Sequence, residues 1–306
     1  MNSGLDSSPP SVVDEISRDE AIQSLLSDES ISDFNLEGTD GSVIANKAML
    51  AARSPVFREL LFEKGTKETE GHDDIVKNTR DGKLKVDYSS QVMKAIVEYI
   101  YTDNATVLEE DDNNEDIKLI VPTVVALVDA ATYFQLPKLR SKAEEFVTTL
   151  LSQNPLIAIP IMVACRGHGT AVSAVEGLCH NVIRSSPRVF LQANTSEEYH
   201  LKMLSMKQIE ALLQDGLFEG DELTLFFILQ AWAKKGDNNE TLVDGKEEEK
   251  KEEISTTSRI DNARELAKHI QFEKVDPVEL AELVSPSGLV PMEQLSRAYE
   301  AQALMA

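Results

Sequence analysis

Four potential metal ligands, Cys165, His168, Cys179 and His180, fall within sixteen residues of one another. A structural zinc site needs four such donors to converge tetrahedrally. The spacing argues against convergence. Cys165 and His168 can share a helix face, but Cys179 and His180 are adjacent and diverge by about 100° on a helix. No second C-x-x-C or H-x-x-x-H accompanies them. Ordinary core or loop residues are expected instead, with neither metal nor disulfide, because free Cys is so often buried. The run Gly167-His-Gly-Thr-Ala-Val172 follows an apolar stretch and superficially resembles a dinucleotide loop. It lacks the third small residue, Pro160 disfavours a central strand, and no βαβ alternation surrounds it, so a turn between helices is expected. His72-Asp73-Asp74 brings no further ligands and reads as a polar loop. Among five His, no Ser/His/Asp or Cys/His arrangement stands out. Neither a catalytic centre nor a cofactor is expected, and surfaces are left to carry function.

Composition bounds those surfaces. The 306 residues suffice for two domains, each with its own core. Thirty basic residues against fifty-three acidic give a net charge of −23. Such a chain repels nucleic acid and anionic lipid, so a protein partner with a neutral or basic patch is expected. No apolar run approaches the roughly 20 residues of a membrane helix, and residues 1–10 do not read as a signal peptide. Two cysteines do not make a disulfide framework, which fits a reducing, cytoplasmic or nuclear compartment.

The stretch 33–61 organises the chain. Phe34 and Leu36 alternate with Asn35 and Glu37, predicting a half-buried strand. Asp40-Gly41 is predicted to supply the two positive-φ positions of a tight hairpin turn, with Val43 and Ile44 in the return strand. Ala48, Met49 and Ala52 suit a short helix ended at Ser54-Pro55, which also caps and starts the next one. There Phe57, Leu60 and Leu61 share a face. The run Ser-Asp-Phe…Ala-Asn-Lys-Ala-Met-Leu-Ala-Ala-Arg-Ser-Pro-Val-Phe resembles the signature of BTB/POZ domains, with Asp33, Lys47, Leu50 and residues 54–57 on the pattern. Asn46 departs from it, where the family usually has His before the Lys.

Residues 1–30 read as an acidic solvated tail in which Ile22, Leu25 and Leu26 sit at helical spacing. Either these pack across the two-fold axis of a BTB dimer, as the resemblance implies, or they form a short helix without a partner. The stretch 62–79 reads as a loop, 83–88 as a strand with Leu84, Val86 and Tyr88 on one face, and 89–103 as a helix. The six acids in 109–116 form a solvated insertion. A buried helix, the break at Leu136-Pro137 and the stripe Leu139, Ala143, Phe146, Val147, Leu150 follow, similar to the closing helix pair of BTB domains.

From Asn154 on the pattern is helical throughout. Ser205 with Gln208 makes a capping box, and 223–233 is apolar on nearly every side and holds the only Trp, Trp232. A Lys/Glu-rich, low-complexity insertion at 236–258 is expected to be mobile. The order Leu-Ser-Met-Lys-Gln-Ile-Glu-Ala-Leu-Leu, Gly-Asp-Glu-Leu…Ala-Trp, His-Ile-Gln-Phe and Pro-Ser-Gly-Leu-Val-Pro resembles a BACK domain. The expected fold class is therefore α+β: a BTB/POZ domain over 31–150 and an all-α BACK domain over 151–305.

The resemblance implies a homodimeric, non-enzymatic adaptor of a cullin-RING ubiquitin ligase, or a dimeric scaffold or transcriptional cofactor without a ligase. Cullin docking in this family usually presents an apolar-x-Glu tripeptide in the loop after the third helix. Here Thr66-Lys67-Glu68 aligns with it, so Thr66 stands at the apolar position. Phe62 and Tyr101 fall in the surrounding patch, with Leu60 and Leu61 there or in the core. Asp33 and Lys47 match the charged pair lining a pocket at the dimer base, or form a structural ion pair. No residue pattern names a substrate.

Overall fold

The computed structural model describes residues 17–62, 76–80, 83–109, 117–193, 200–214, 221–233 and 256–305. Its first helix, α1 (Arg18–Ser27), starts at Ser17, whose hydroxyl accepts from the Glu20 N–H while the Glu20 carboxylate accepts from the Ser17 N–H. Two short strands follow, β1 (Phe34–Glu37) and β2 (Ser42–Ala45), paired antiparallel with Phe34 opposite Ala45 and Glu37 opposite Ser42.

The turn differs from expectation. Neither Asp40 nor Gly41 has positive φ. The loop has four residues, closed by the Gly38 N–H donating to the Gly41 carbonyl at 2.7 Å, a length that needs no primed turn. It is also pinned from outside. The Thr39 N–H donates to the Tyr88 carbonyl at 2.9 Å, and the Ser90 N–H donates to Asp40 Oδ1 at 2.6 Å. A Cβ at Gly38 would come within 2.5 Å of the Tyr88 carbonyl oxygen, so this close approach admits only Gly.

Helices α2 (Lys47–Arg53) and α3 (Pro55–Phe62) come next, then β3 (Val76–Arg80) and β4 (Lys83–Val86). The strand β3 corrects the loop expected over 62–79. The four strands form one sheet in the order β2-β1-β4-β3, with β1 and β4 parallel and a register shift between Lys77 and Thr79. Alternation sorts its faces. Phe34, Leu36, Ala45, Leu84 and Val86 turn inward and are buried. On the other face Lys83 pairs with Glu37 at 2.8 Å.

Helix α4 (Ser90–Thr102), within the predicted helix 89–103, is capped by Ser89 and buries Val92, Met93, Ile96, Val97 and Ile100 on one face. It ends at Asp103 in the left-handed region, φ 62°. Helices α5 (Ile117–Tyr133) and α6 (Pro137–Gln153) are separated by Gln135, φ 53°, just before the expected break.

The chain divides into two compact units, one drawing on Met1–Glu110 with Ala130–Leu139, the other on Asp111–Asp129 with Arg140–Ala306. In the first unit Phe57 stacks on Phe134 with ring centres 4.2 Å apart. The second unit adds α7 (Ala158–Ala164), α8 (Ser173–Ser185), α9 (Pro187–Ala193), α10 (Met206–Gln214), α11 (Glu222–Ala233), α12 (Thr256–Leu266), α13 (Pro277–Glu279) and α14 (Met292–Met305). No strand occurs in this unit among the described residues. The predicted low-complexity stretch 236–258 lies outside them, apart from 256–258, which already belong to α12.

Helix α11 buries Leu223, Leu225, Phe226, Ile228, Leu229 and Trp232. The Trp232 Nε1–H donates to the Leu204 carbonyl at 2.9 Å. The predicted capping box forms: the Gln208 N–H donates to Ser205 Oγ at 3.3 Å, and Gln208 Oε1 accepts from the Ser205 N–H at 3.0 Å. Gly167 and Gly169 take φ of 90° and 58° in the turn that joins α7 to α8, as the sequence predicted.

Candidate functional site

No side-chain cluster in the described residues groups three or more His, Cys, Asp or Glu in a way that could hold a metal ion. Cys165 and Cys179 are buried free thiols. Burial pushes the Cys165 thiol up to about 12, and that of Cys179 well above its ordinary range. His168 turns to Asp129 instead, Nδ1 to Oδ2 at 2.9 Å. His72-Asp73-Asp74 lies outside the described residues. Site geometry is therefore a question of surfaces on the first unit.

Of the expected cullin-facing patch, only part falls within the described residues. Phe57 is fully buried, Leu60 and Leu61 are half-buried, and Phe62, at the end of α3, is 57% exposed. Thr66, Lys67 and Glu68 lie outside the described residues. Tyr101 is a correction: it is only 5% exposed, and its hydroxyl accepts from the Asn46 N–H at 2.7 Å. Burial raises its pKa, with the Asp33 charge adding to this and the Asn46 bond opposing it. Tyr101 holds the start of α2 in place and presents little to a partner. Asn46 itself caps α2, accepting from the Ala48 N–H at 3.1 Å, so the departure from His at this position supplies a good N-cap.

Asp33 and Lys47 meet, though through the backbone. Asp33 Oδ1 accepts from the Lys47 N–H at 2.9 Å, whereas the Lys47 ammonium sits 5.3 Å from the centre of the Phe34 ring. No Asp33–Lys47 ion pair forms. The carboxylate instead satisfies a donor at the positive end of α2. Ile22, Leu25 and Leu26 are each half-buried on α1, which packs against β2 and α4. Beside it runs an open groove of about 860 Å³ whose lining includes Leu26, Asp33, Asn35, Ile44, Lys83 and Lys94. Leu26 and Asp33 thus share one groove, and Lys47 is outside its lining.

Sequence reading missed the tie between α2 and α4. The Arg53 guanidinium pairs with Asp103 and lies 5.8 Å from the Tyr99 ring centre. The pair is fifty residues apart in the chain, so no local pattern marks it.

The first unit thus holds a four-stranded mixed sheet with helices α2, α3 and α4, and the second is helical among its described residues. Residues 22–151 match the BTB/POZ domain family, and the chain carries a BTB/POZ domain there. Kelch-like protein 41a of Danio rerio is 25% identical over 223 residues, which cover 72% of this chain and 32% of that protein. The chain thus matches about a third of that relative's length. No helix among the described residues is long and apolar enough to cross a membrane.

Proposed function

We propose that this chain is a non-enzymatic BTB-BACK adaptor that dimerises through its BTB/POZ domain and docks a cullin scaffold of a RING ubiquitin ligase. The helical unit is read as the BACK module, with the boundary near residue 150. The observation that carries the cullin reading is Phe62, an aromatic side chain 57% exposed at the end of α3 in a BTB/POZ domain. Exposed aromatics of this kind make the dominant anchors of interfaces when a partner desolvates them. Residues 65–68, outside the described part of the structure, are read from the family resemblance as completing the contact. Thr66 offers one methyl and a hydroxyl that loses hydrogen bonding on burial. Docking is therefore weak in this chain, and Thr66→Met, which adds apolar area worth about 1–2 kcal/mol, tightens it by about tenfold. Calorimetric titration of a cullin N-terminal domain into the wild type and Thr66→Met tests this. Equal affinities remove Thr66 from the contact.

A dimeric scaffold or transcriptional cofactor without a ligase is the second reading. Thr66 at the usual apolar position favours it, and it predicts no heat with either protein.

A further inference from the structure

We infer that β2 is the seam of the dimer: the β2 strands of two copies pair antiparallel across a two-fold axis at Val43 and join their two sheets into one. This rests on the dimer reading above and adds how the copies meet. The sheet order β2-β1-β4-β3 leaves β2 at one edge and β3 at the other. The Gly38 N–H bond to the Gly41 carbonyl sets the phase of the hairpin, since those residues lie one step beyond the Glu37–Ser42 pair. Hydrogen-bonded pairs recur every second residue, so Leu36–Val43 and Phe34–Ala45 exchange bonds across the hairpin. The N–H and C=O groups of Ser42 and Ile44 therefore point away from β1, at the open edge. Among the described residues nothing hydrogen-bonds to them. Asn46, next in the same phase, sends its N–H to Tyr101 instead.

The two edges are built differently. Natural sheets block self-pairing at an edge with charged side chains, Pro or a bulge. Strand β3 carries Lys77 and Arg80 and a register shift between Lys77 and Thr79. Strand β2 is Ser-Val-Ile-Ala, with no charge, no Pro and no shift against β1. Val43 and Ile44 lie on opposite faces and both remain half-buried, so the strand offers apolar surface on each side of its free edge. The open groove of about 860 Å³ reaches Ser42, Val43 and Ile44 and continues to Leu26 on α1. Its lining holds Glu29 and Asp33 as well as Lys83 and Lys94, so no single sign of charge selects an acidic or a basic peptide. A second copy fits on geometry. With Val43 on the axis, Ser42 faces the partner's Ile44 and Ile44 the partner's Ser42, and each pair exchanges both bonds, so the free groups of both strands are satisfied at once. Helix α1 packs against β2, so a partner placed at this edge also reaches its half-buried Ile22, Leu25 and Leu26.

The test uses Val43→Cys in the full chain. Directly opposite residues of a pair that exchanges no bonds lie about 4.5 Å apart at Cα, within the span of a disulfide. With diamide taking up the two thiol hydrogens, the variant should cross-link into a covalent dimer at least about tenfold faster than Lys138→Cys, which carries its thiol on an exposed helix start. The wild type, whose Cys165 and Cys179 are buried, should not cross-link. In a second variant, Val43→Lys, like charges face each other on the axis, and light scattering on dilution should show the dimer weakened about tenfold or more. Monomer mass for the wild type at every concentration removes the dimer reading and the seam with it. A wild-type dimer overturns the seam alone, and leaves the dimer standing, if Val43→Cys cross-links no faster than Lys138→Cys or if Val43→Lys keeps its affinity. Exchange protection of the Ser42 and Ile44 amides that persists on dilution to monomer gives the edge to a segment of the same chain and overturns the seam as well.

Discussion

Single side chains close the joints of the BTB/POZ domain. Ser54 is fully buried: its hydroxyl donates to the Phe134 carbonyl at 2.7 Å and accepts from the Phe57 N–H at 3.2 Å. Ser54→Ala strands both groups and should cost about 1–3 kcal/mol in urea denaturation. Asp40 does the corresponding work for the hairpin. The Ser90 N–H holds its carboxyl below the ordinary value of 3.8, so its stabilisation is complete above that value and is lost as pH falls through the lowered one. An NMR titration should place Asp40 below 3.8, and Asp40→Asn should flatten the acid limb of the stability curve. The cap at Ser54 was legible in the sequence because Ser-Pro carries a local mechanism. The Asp40 role was not, because its partner lies fifty residues away and turn chemistry alone suggested a tight primed turn.

Among elements, the strongly periodic ones were the legible ones. Helix α4 forms where a helix was predicted, and α11 buries most of its apolar residues, as its all-round apolar pattern predicted. Strand β3 was not legible: Val76-Lys-Asn-Thr-Arg80 holds one apolar residue, and pairing with β4 makes it a strand. Helix α14 reaches back through two glutamines. Gln294 donates to the Ala267 carbonyl at 2.8 Å and Gln302 to the Val275 carbonyl at 2.7 Å, satisfying the ends of short 3₁₀ turns that periodicity does not mark. The centre of the helical unit is α11, where Phe226 meets Phe272 with ring centres 6.0 Å apart. Phe226→Ala should cost about 3–5 kcal/mol, read in denaturation by the emission of Trp232 on the same helix.

For the whole molecule, charge and association are the operative quantities. The BTB/POZ identity was legible because its hairpin–helix run is contiguous in the chain. The Arg259–Trp232 contact was not, since the two residues are distant in the sequence. Ile22, Leu25 and Leu26 are half-buried in the isolated chain; if a second copy covers them, as proposed, light scattering should read twice 33.9 kDa. Leu26→Asp should return it to monomer mass, since a carboxylate in that contact would be buried without a partner. The central claim, cullin docking through the end of α3, is tested most directly by Phe62→Ala. Its exposure makes the change nearly neutral for folding, within about 0.5 kcal/mol. Calorimetric titration of a cullin N-terminal domain should show measurable binding by the wild type and a loss of about tenfold or more in Phe62→Ala. Equal affinities, or no heat from either protein, would contradict it.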